Sequence, residues 1–194
     1  MIDNLCTHSS YSRKIMLESS MMYDKNSIEK SYAVMKEFYE VVKNDENKNI
    51  VQSLQFKLCN LKDINHTISR LATSVVIDDI ELYEVKSLAL LSADVKNILE
   101  KISLDKIIKI PNLDEVVKIL DPDGLHIATF YIYDSYSEEL ASLRKKLKEK
   151  DVYQEEIYNE VMRIEDEIRA ELSSKLKPYS EAMTLALNAL AEVD

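Results

Sequence analysis

Glycine occurs once in this 194-residue chain, at Gly124, and proline only three times. One glycine excludes the common nucleotide-binding loops. Both G-x-x-x-x-G-K-[ST] and G-x-G-x-x-G need several glycines so that backbone N–H groups can close on phosphate oxygens. Cysteine is nearly as scarce. Cys6 and Cys59 stand far apart, so neither a zinc pair nor a disulfide framework is indicated, and a reducing compartment is the simple expectation. His8, His66 and His126 are scattered, with no second ligand at helical spacing. No apolar run approaches ~18 residues, and no basic segment leading into an apolar one opens the chain. These absences lead to the expectation of a cytoplasmic protein outside the membrane.

Positive charge is in deficit. Lys and Arg number 25 against 35 Asp and Glu, for a net charge of -10. Binding nucleic acid unaided requires clustered cations to displace counterions, so this balance argues against it while leaving room for a local basic patch. What is present is 46% hydrophobic and 31% charged residues, the composition of a globular chain able to bury a core as one domain or two small ones.

Helical periodicity dominates. Residues 3 to 20 suit one or two short helices. "NSIEKSYAVMKEFYEVVKN" reads as a strong helix opened by Asn26 or Ser27, with Asn26 and Glu29 at capping-box spacing. Its apolar face holds Ile28, Val34, Met35, Phe38, Val41 and Val42. The polar "NDENKN" ends it, and "IVQSLQFKLCNL" and "DINHTISRLATSV" follow as further helices. "DDIELYEVKSLALLSADVKNILEKI" carries Val85, Leu88, Leu91, Val95, Ile98 and Ile102 at steps of three and four, with Asp78 and Asp79 suited to its positive N-terminal end. Short helical segments are expected at "LDKIIKI" and "NLDEVVKIL".

One stretch departs from this pattern. Asp121-Pro122-Asp123-Gly124 has type I turn chemistry, with Asp first, Pro second and Gly fourth. A calcium loop is the competing reading, but the third acidic position and the terminal Glu are lacking. "HIATFYIYD" then alternates: Ile127, Thr129, Tyr131 and Tyr133 on one side, Ala128, Phe130 and Ile132 on the other. The expectation is a short extended or β segment near 126–133, covered on both faces. A lone strand leaves its backbone groups unsatisfied, so it must pair elsewhere, fold on itself or bond to loops.

Ser137 follows as an N-cap, with Glu138 and Glu139 in the first turn. Leu140, Leu143 and Leu147 mark one helix, and "KEKDVYQ" is a break. A longer helix then shows Tyr153, Ile157, Val161, Ile164, Ile168, Leu172 and Leu176 at steps of four and three. Charged residues fill the intervals, which gives a narrow seam suited to one neighbour in an antiparallel helix pair. At ~1.5 Å per residue the second arm would be roughly 35 Å long and the first about half that. Glu155, Glu156, Glu160, Glu165, Asp166, Glu167 and Glu171 on the longer arm read as a solvated face rather than an acid–base pair. After Pro178, "PYSEAMTLALNALAEVD" is apolar enough to enter a core. It stops at Asp194 in mid-pattern, which leads to the expectation of a fragment of a longer protein.

Taken together, "ILDPDG…YDSYSEELASLRKKL" resembles a stretch of the MutS-type DNA mismatch repair ATPase family, closest to the second MutS subfamily and clamp-less MutS-like proteins. There an Asp/Gly turn leads through an extended segment to a Ser-Pro-Glu-Leu…Arg helix start. Ser137, Glu139, Leu140 and Arg144 match, and Glu138 replaces the usual proline. "EEIYNEVMRIEDEIRAELSSKLKPYSEAMTLALNALAEVD" is similar to the returning lever helix and the Ala-Leu-Ala-Glu-Leu-Asp segment before the family's ATPase domain, with Val193 in place of Leu. "LCNLKDINHTISRLATSVVIDDIELYEVKSL" is similar to its core-helix stretch. The resemblance runs from about Asp3 to Asp194 and rests on order and spacing.

The resemblance implies an all-α architecture: a helical core over 1–120, a turn and extended connector over 121–136, a protruding lever helix pair over 137–177, and a segment over 178–194 returning to the core toward an ATPase domain. It implies a non-catalytic core and lever that couples a C-terminal ATPase to DNA or partner binding, in a parent that hydrolyses ATP with Mg and could form a homodimer. The fragment itself would hold no catalytic residue, cofactor or metal. The structural residues singled out by the turn, cap and helix-repeat readings are Gly124, Ser137, Leu140, Ile157, Val161, Ile164 and Ile168. Leu147 is followed almost at once by the return helix, so the family's DNA-gripping clamp is missing, which puts mismatch repair proper in question for the parent. Arg144, Lys145, Lys146, Lys148 and Lys150 form the one dense basic run. They are DNA-phosphate candidates, against the plainer reading of a solvated face with cations favouring a helix C-terminus. Phe38-Tyr39-Glu40 spells the family's Phe-x-Glu, but on an apolar helix face packing explains Phe38 better. Tyr131, Tyr133 and Tyr136 could stack on bases, though beside a buried segment they serve a core or interface. The alternative is a helical protein-interaction or dimerisation scaffold with no nucleic-acid role.

Overall fold

A computed structural model describes residues 7–148 and 154–194. They are all-α, with no strand among them. The helices are α1 (Ser10–Glu18), α2 (Lys25–Lys43), α3 (Lys48–Leu58), α4 (Asn65–Ala72), α5 (Asp79–Lys101), α6 (Asp114–Leu120), α7 (Glu138–Leu147), α8 (Gln154–Leu176) and α9 (Ser180–Val193). Single 3-10 turns lie at Asp45–Asn47, Asp134–Tyr136 and Lys177–Tyr179. Cys6, Lys150 and Tyr153 lie outside the described residues.

Start signals set several boundaries. Ser9 caps α1 by accepting the Ser12 N–H at 3.0 Å. α2 opens earlier than its expected cap: Asp24, not Asn26 or Ser27, accepts the Ser27 N–H at 2.9 Å. A carboxylate one step outside the helix reaches a free first-turn N–H, whereas Asn26 is already helical. Ser137 caps α7 as expected, accepting the Leu140 N–H at 3.2 Å. "LDKIIKI" forms turns rather than a helix.

Scarcity of glycine shows at the stop signals. α4 and α5 end with Ser74 at φ 64 and Ser103 at φ 58. After α4 the Val75 N–H reaches the Arg70 C=O at 2.9 Å, and after α5 the Leu104 N–H reaches the Leu99 C=O at 3.0 Å. These are Schellman closures with serine where glycine is preferred.

The chain divides into two compact units: Met1–Asp63 with Leu91–Asn112 and Ala182–Asp194, and Ile64–Leu90 with Leu113–Glu181. In the first, Leu58, Val95, Leu99, Leu187 and Leu190 are buried, and Tyr11 donates to Asn188 Oδ1 at 2.9 Å. In the second, α8 packs against α7, α6 and α4. Val161, Ile164, Ile168, Leu172 and Leu176 are buried there with Leu71, Leu120 and Leu140. This corrects the expectation of a seam with one neighbour. The apolar stripe of α8 is continuous enough to enter a core of several helices along most of its length.

The 126–133 segment is also corrected: it is irregular, not a strand. His126 takes φ 51, and the Thr129 N–H turns back onto the Ile127 C=O at 2.8 Å. Its backbone is thus satisfied partly by local turns instead of a ladder. Nor is it covered on both faces, since Leu125, Ile127 and Tyr131 are exposed while Ile132 and Tyr133 are buried.

Candidate functional site

The turn forms as its residues dictate. Gly124 sits at φ +63 and donates its N–H to the Asp121 C=O at 3.0 Å. The Asp121 side chain does more than start the turn. Its Oδ1 accepts from Lys86 Nζ at 2.9 Å and its Oδ2 from the His126 N–H at 2.7 Å. Lys86 also donates to the Tyr133 hydroxyl at 3.0 Å, which in turn donates to the Thr129 C=O at 3.3 Å. Lys86 Nζ lies 5.2 Å from the Tyr133 ring centroid. With the hydroxyl so close it sits beyond the ring's edge, so this is a hydrogen bond rather than a cation over a π face.

Lys86 and Tyr133 were missed in the sequence as a pair, yet a signal existed. Lys86 follows Leu82 by four and precedes Ala89 by three, both buried, so it falls inside the apolar stripe of α5. The Lys86 side chain is wholly inaccessible and that of Asp121 nearly so. Burial by itself would raise the Asp121 carboxyl, but the Lys86 hydrogen bond, the His126 N–H and the lysine charge outweigh it and hold it below its ordinary value. A buried lysine can serve as a Schiff-base nucleophile, but here no substrate can reach it. The group fastens α5, the turn and the irregular segment to one another.

The far end of that segment is fastened through Arg144. Its guanidinium donates to the Ile132 C=O at 2.7 Å, Asp134 Oδ1 at 2.5 Å and Glu165 Oε1 at 2.8 Å. It joins the connector, α7 and α8. Burial opposes its charge, but Glu165 and Asp134 push its proton affinity above the ordinary guanidinium level. Glu165, expected on a solvated face, is instead half-buried, while Glu155, Glu156, Asp166, Glu167 and Glu171 are exposed and Glu160 is half-buried. The basic run therefore splits: Arg144 turns inward, Lys145 and Lys146 stay exposed on the last turn of α7, and Lys148 stays exposed just beyond it. The tyrosines split too. Tyr133 is buried, Tyr136 is half-buried and donates to the Ile119 C=O at 2.9 Å, and Tyr131 is exposed with its ring centroid 4.2 Å from that of Tyr133. Burial first, then nearby Tyr133 and Asp121, push the Tyr136 hydroxyl upward.

The hydrophobic candidates fall as follows. Leu140, Val161, Ile164 and Ile168 are buried, and Ile157 is half-buried. Phe38 is half-buried, short of the closed core expected for it, and lines a groove of about 490 Å³ along α2 with Val34 and Met35.

A Ser, a His and an Asp also meet in the first unit. Asp194 Oδ1 accepts the His8 N–H and faces His8 Nδ1, both at 2.9 Å, and Oδ2 accepts the Ser9 N–H at 2.9 Å. This is a helix cap, not a nucleophilic triad. Ser9 is buried and its Oγ is held by Ser12 at 2.6 Å. Burial would raise the Asp194 carboxyl, but the N–H groups of His8 and Ser9 and the Ser12 side chain keep it low.

Among the described residues no group of three or more His, Cys, Asp and Glu could hold a metal ion, and no helix is long and apolar enough to cross a membrane. No family model, curated protein or solved structure matches the chain.

Proposed function

We propose that the chain is the core and lever region of a MutS-like ATPase, without chemistry of its own, and that it passes displacement between an ATPase after Asp194 and a site for DNA or a partner. In this reading the α7–α8 pair within 137–177 forms the lever and 121–136 is the connector to its base, with nucleotide and Mg held by the ATPase. The observation that carries it is Arg144, one side chain tying the connector, α7 and α8 together. Such a tie makes a displacement of α8 a displacement of the connector as well. Gly124 shapes the turn, Ser137 fixes the start of α7, and Ile157, Val161, Ile164 and Ile168 hold α8. Lys145, Lys146 and Lys148 are the accessible phosphate contacts.

The coding sequence beyond Asp194 is the first test. A G-x-x-x-x-G-K-[ST] loop within the next few dozen codons is expected, and an immediate stop codon would contradict the reading. A titration with branched, mismatched and plain duplex DNA then decides whether a DNA role persists without a clamp.

The scaffold alternative is favoured by a different observation. Tyr32, Met35, Tyr39 and Val42 form an exposed apolar row on α2 that a purely internal core helix would not need.

A further inference from the structure

α2 is 19 residues long and amphipathic, yet none of its residues is buried. Its apolar positions fall into two rows. Ile28, Val34, Phe38 and Val41 are half-buried. Tyr32, Met35, Tyr39 and Val42 are 66, 62, 59 and 56% exposed. The second row advances by three, four and three residues, the 3.5-residue repeat of a coiled-coil seam. Single exposed apolar side chains are ordinary, but a row at seam spacing is the pattern of a covered face. Ser31 Oγ lies 3.6 Å from Met22 Sδ, which brings the exposed Met22 alongside the same helix.

The flanking charges indicate the occupant. Glu29 stands near the N-terminal end of the seam and Lys43 near its C-terminal end, on one edge two heptads apart. A parallel partner would bring neither against the other. An antiparallel copy brings each Glu29 against the opposite Lys43, giving two opposed pairs about a twofold axis. The same register sets Tyr32 against Val42 and Met35 against Tyr39. We infer that α2 is the contact surface of a homodimer, packed antiparallel against α2 of a second copy. Lys36 lies near the axis and meets its own counterpart, so the dimer is weak and reversible. The inference uses α2 alone, and its failure would leave the lever reading untouched.

The test is sedimentation velocity on the whole chain over about a hundredfold range of concentration. The expected result is a concentration-dependent monomer–dimer equilibrium. Met35→Glu with Tyr39→Glu abolishes the dimer, while the melting temperature and helical circular dichroism of the monomer hold, because both positions are exposed. Glu29→Lys and Lys43→Glu each weaken the dimer by about tenfold, and the two together restore it. A monomer at every concentration would overturn the inference. So would a dimer indifferent to the Met35 and Tyr39 changes, or a charge-reversed double variant no tighter than either single one.

Discussion

Lys86 forms a wholly buried ion pair with Asp121 in the second unit. Removing one partner of a buried ion pair leaves the other charged and dry, which costs about 3–5 kcal/mol. Lys86→Met and Asp121→Asn are each expected to lower urea-unfolding stability by that order, and the double variant by less than the sum of the two. Strict additivity would show that the pair is not coupled. The left-handed residues give a second, opposite-signed pair of effects. Ser103 carries a Cβ in a conformation that disfavours one by about 1 kcal/mol, so Ser103→Gly should stabilise by roughly half that once glycine's freedom in the unfolded chain is subtracted. Gly124→Ala should destabilise by about 1 kcal/mol from its positive φ alone, because nothing lies within 4 Å of the added Cβ. Thermal melts showing the reverse signs would refute the assignment. Gly124 and Ser137 were legible in the sequence because their roles are local. Asp121 was legible only as a turn residue, since its partner is 35 positions away. The Ser-for-Gly caps were hidden because serine is commoner at helix starts than at their ends.

Among elements, α8 was placed well by its aliphatic repeat, while its surroundings were not. Charged residues between the aliphatic positions suggested one neighbour, but Arg169 and Glu165 turn that polar flank into attachments. Arg169 grips Asp79 at 2.7 and 3.2 Å, and Ser173 accepts the Ile77 N–H at 3.1 Å. Ile164→Asp places a carboxylate in this packing and should cost about 3 kcal/mol or more. An unchanged melting temperature would show that α8 is not a core helix. The strand expectation failed because alternation specifies faces, not partners. "HIATFYIYD" has the period of a strand, but the Asp121 carboxylate captures the His126 N–H and bends the chain at its first residue. The split of α2 into half-buried and exposed rows was equally invisible, since periodicity alone does not say which apolar row is covered.

At the scale of the whole molecule, two buried carboxylates make stability depend on acid. Asp121 and Asp194 both titrate below their ordinary value in the folded chain. The unfolded chain therefore takes up protons first as pH falls, so their contribution is complete above about pH 4 and disappears as pH drops through the lower folded values. A stability-versus-pH curve should fall on this acid limb, and Asp121→Asn or Asp194→Asn should flatten it. The all-α class was legible because it is summed over many helical segments, whereas the two-unit division was not, because both units are assembled from separate stretches. The proposal is that this chain carries motion and performs no chemistry. Its most direct test is steady-state ATP hydrolysis by the complete reading-frame product, with and without branched duplex DNA, for wild type and Arg144→Gln. The account predicts an unchanged basal rate in the variant and loss of the DNA-dependent change. A folded variant that responds to DNA just as wild type does would contradict it.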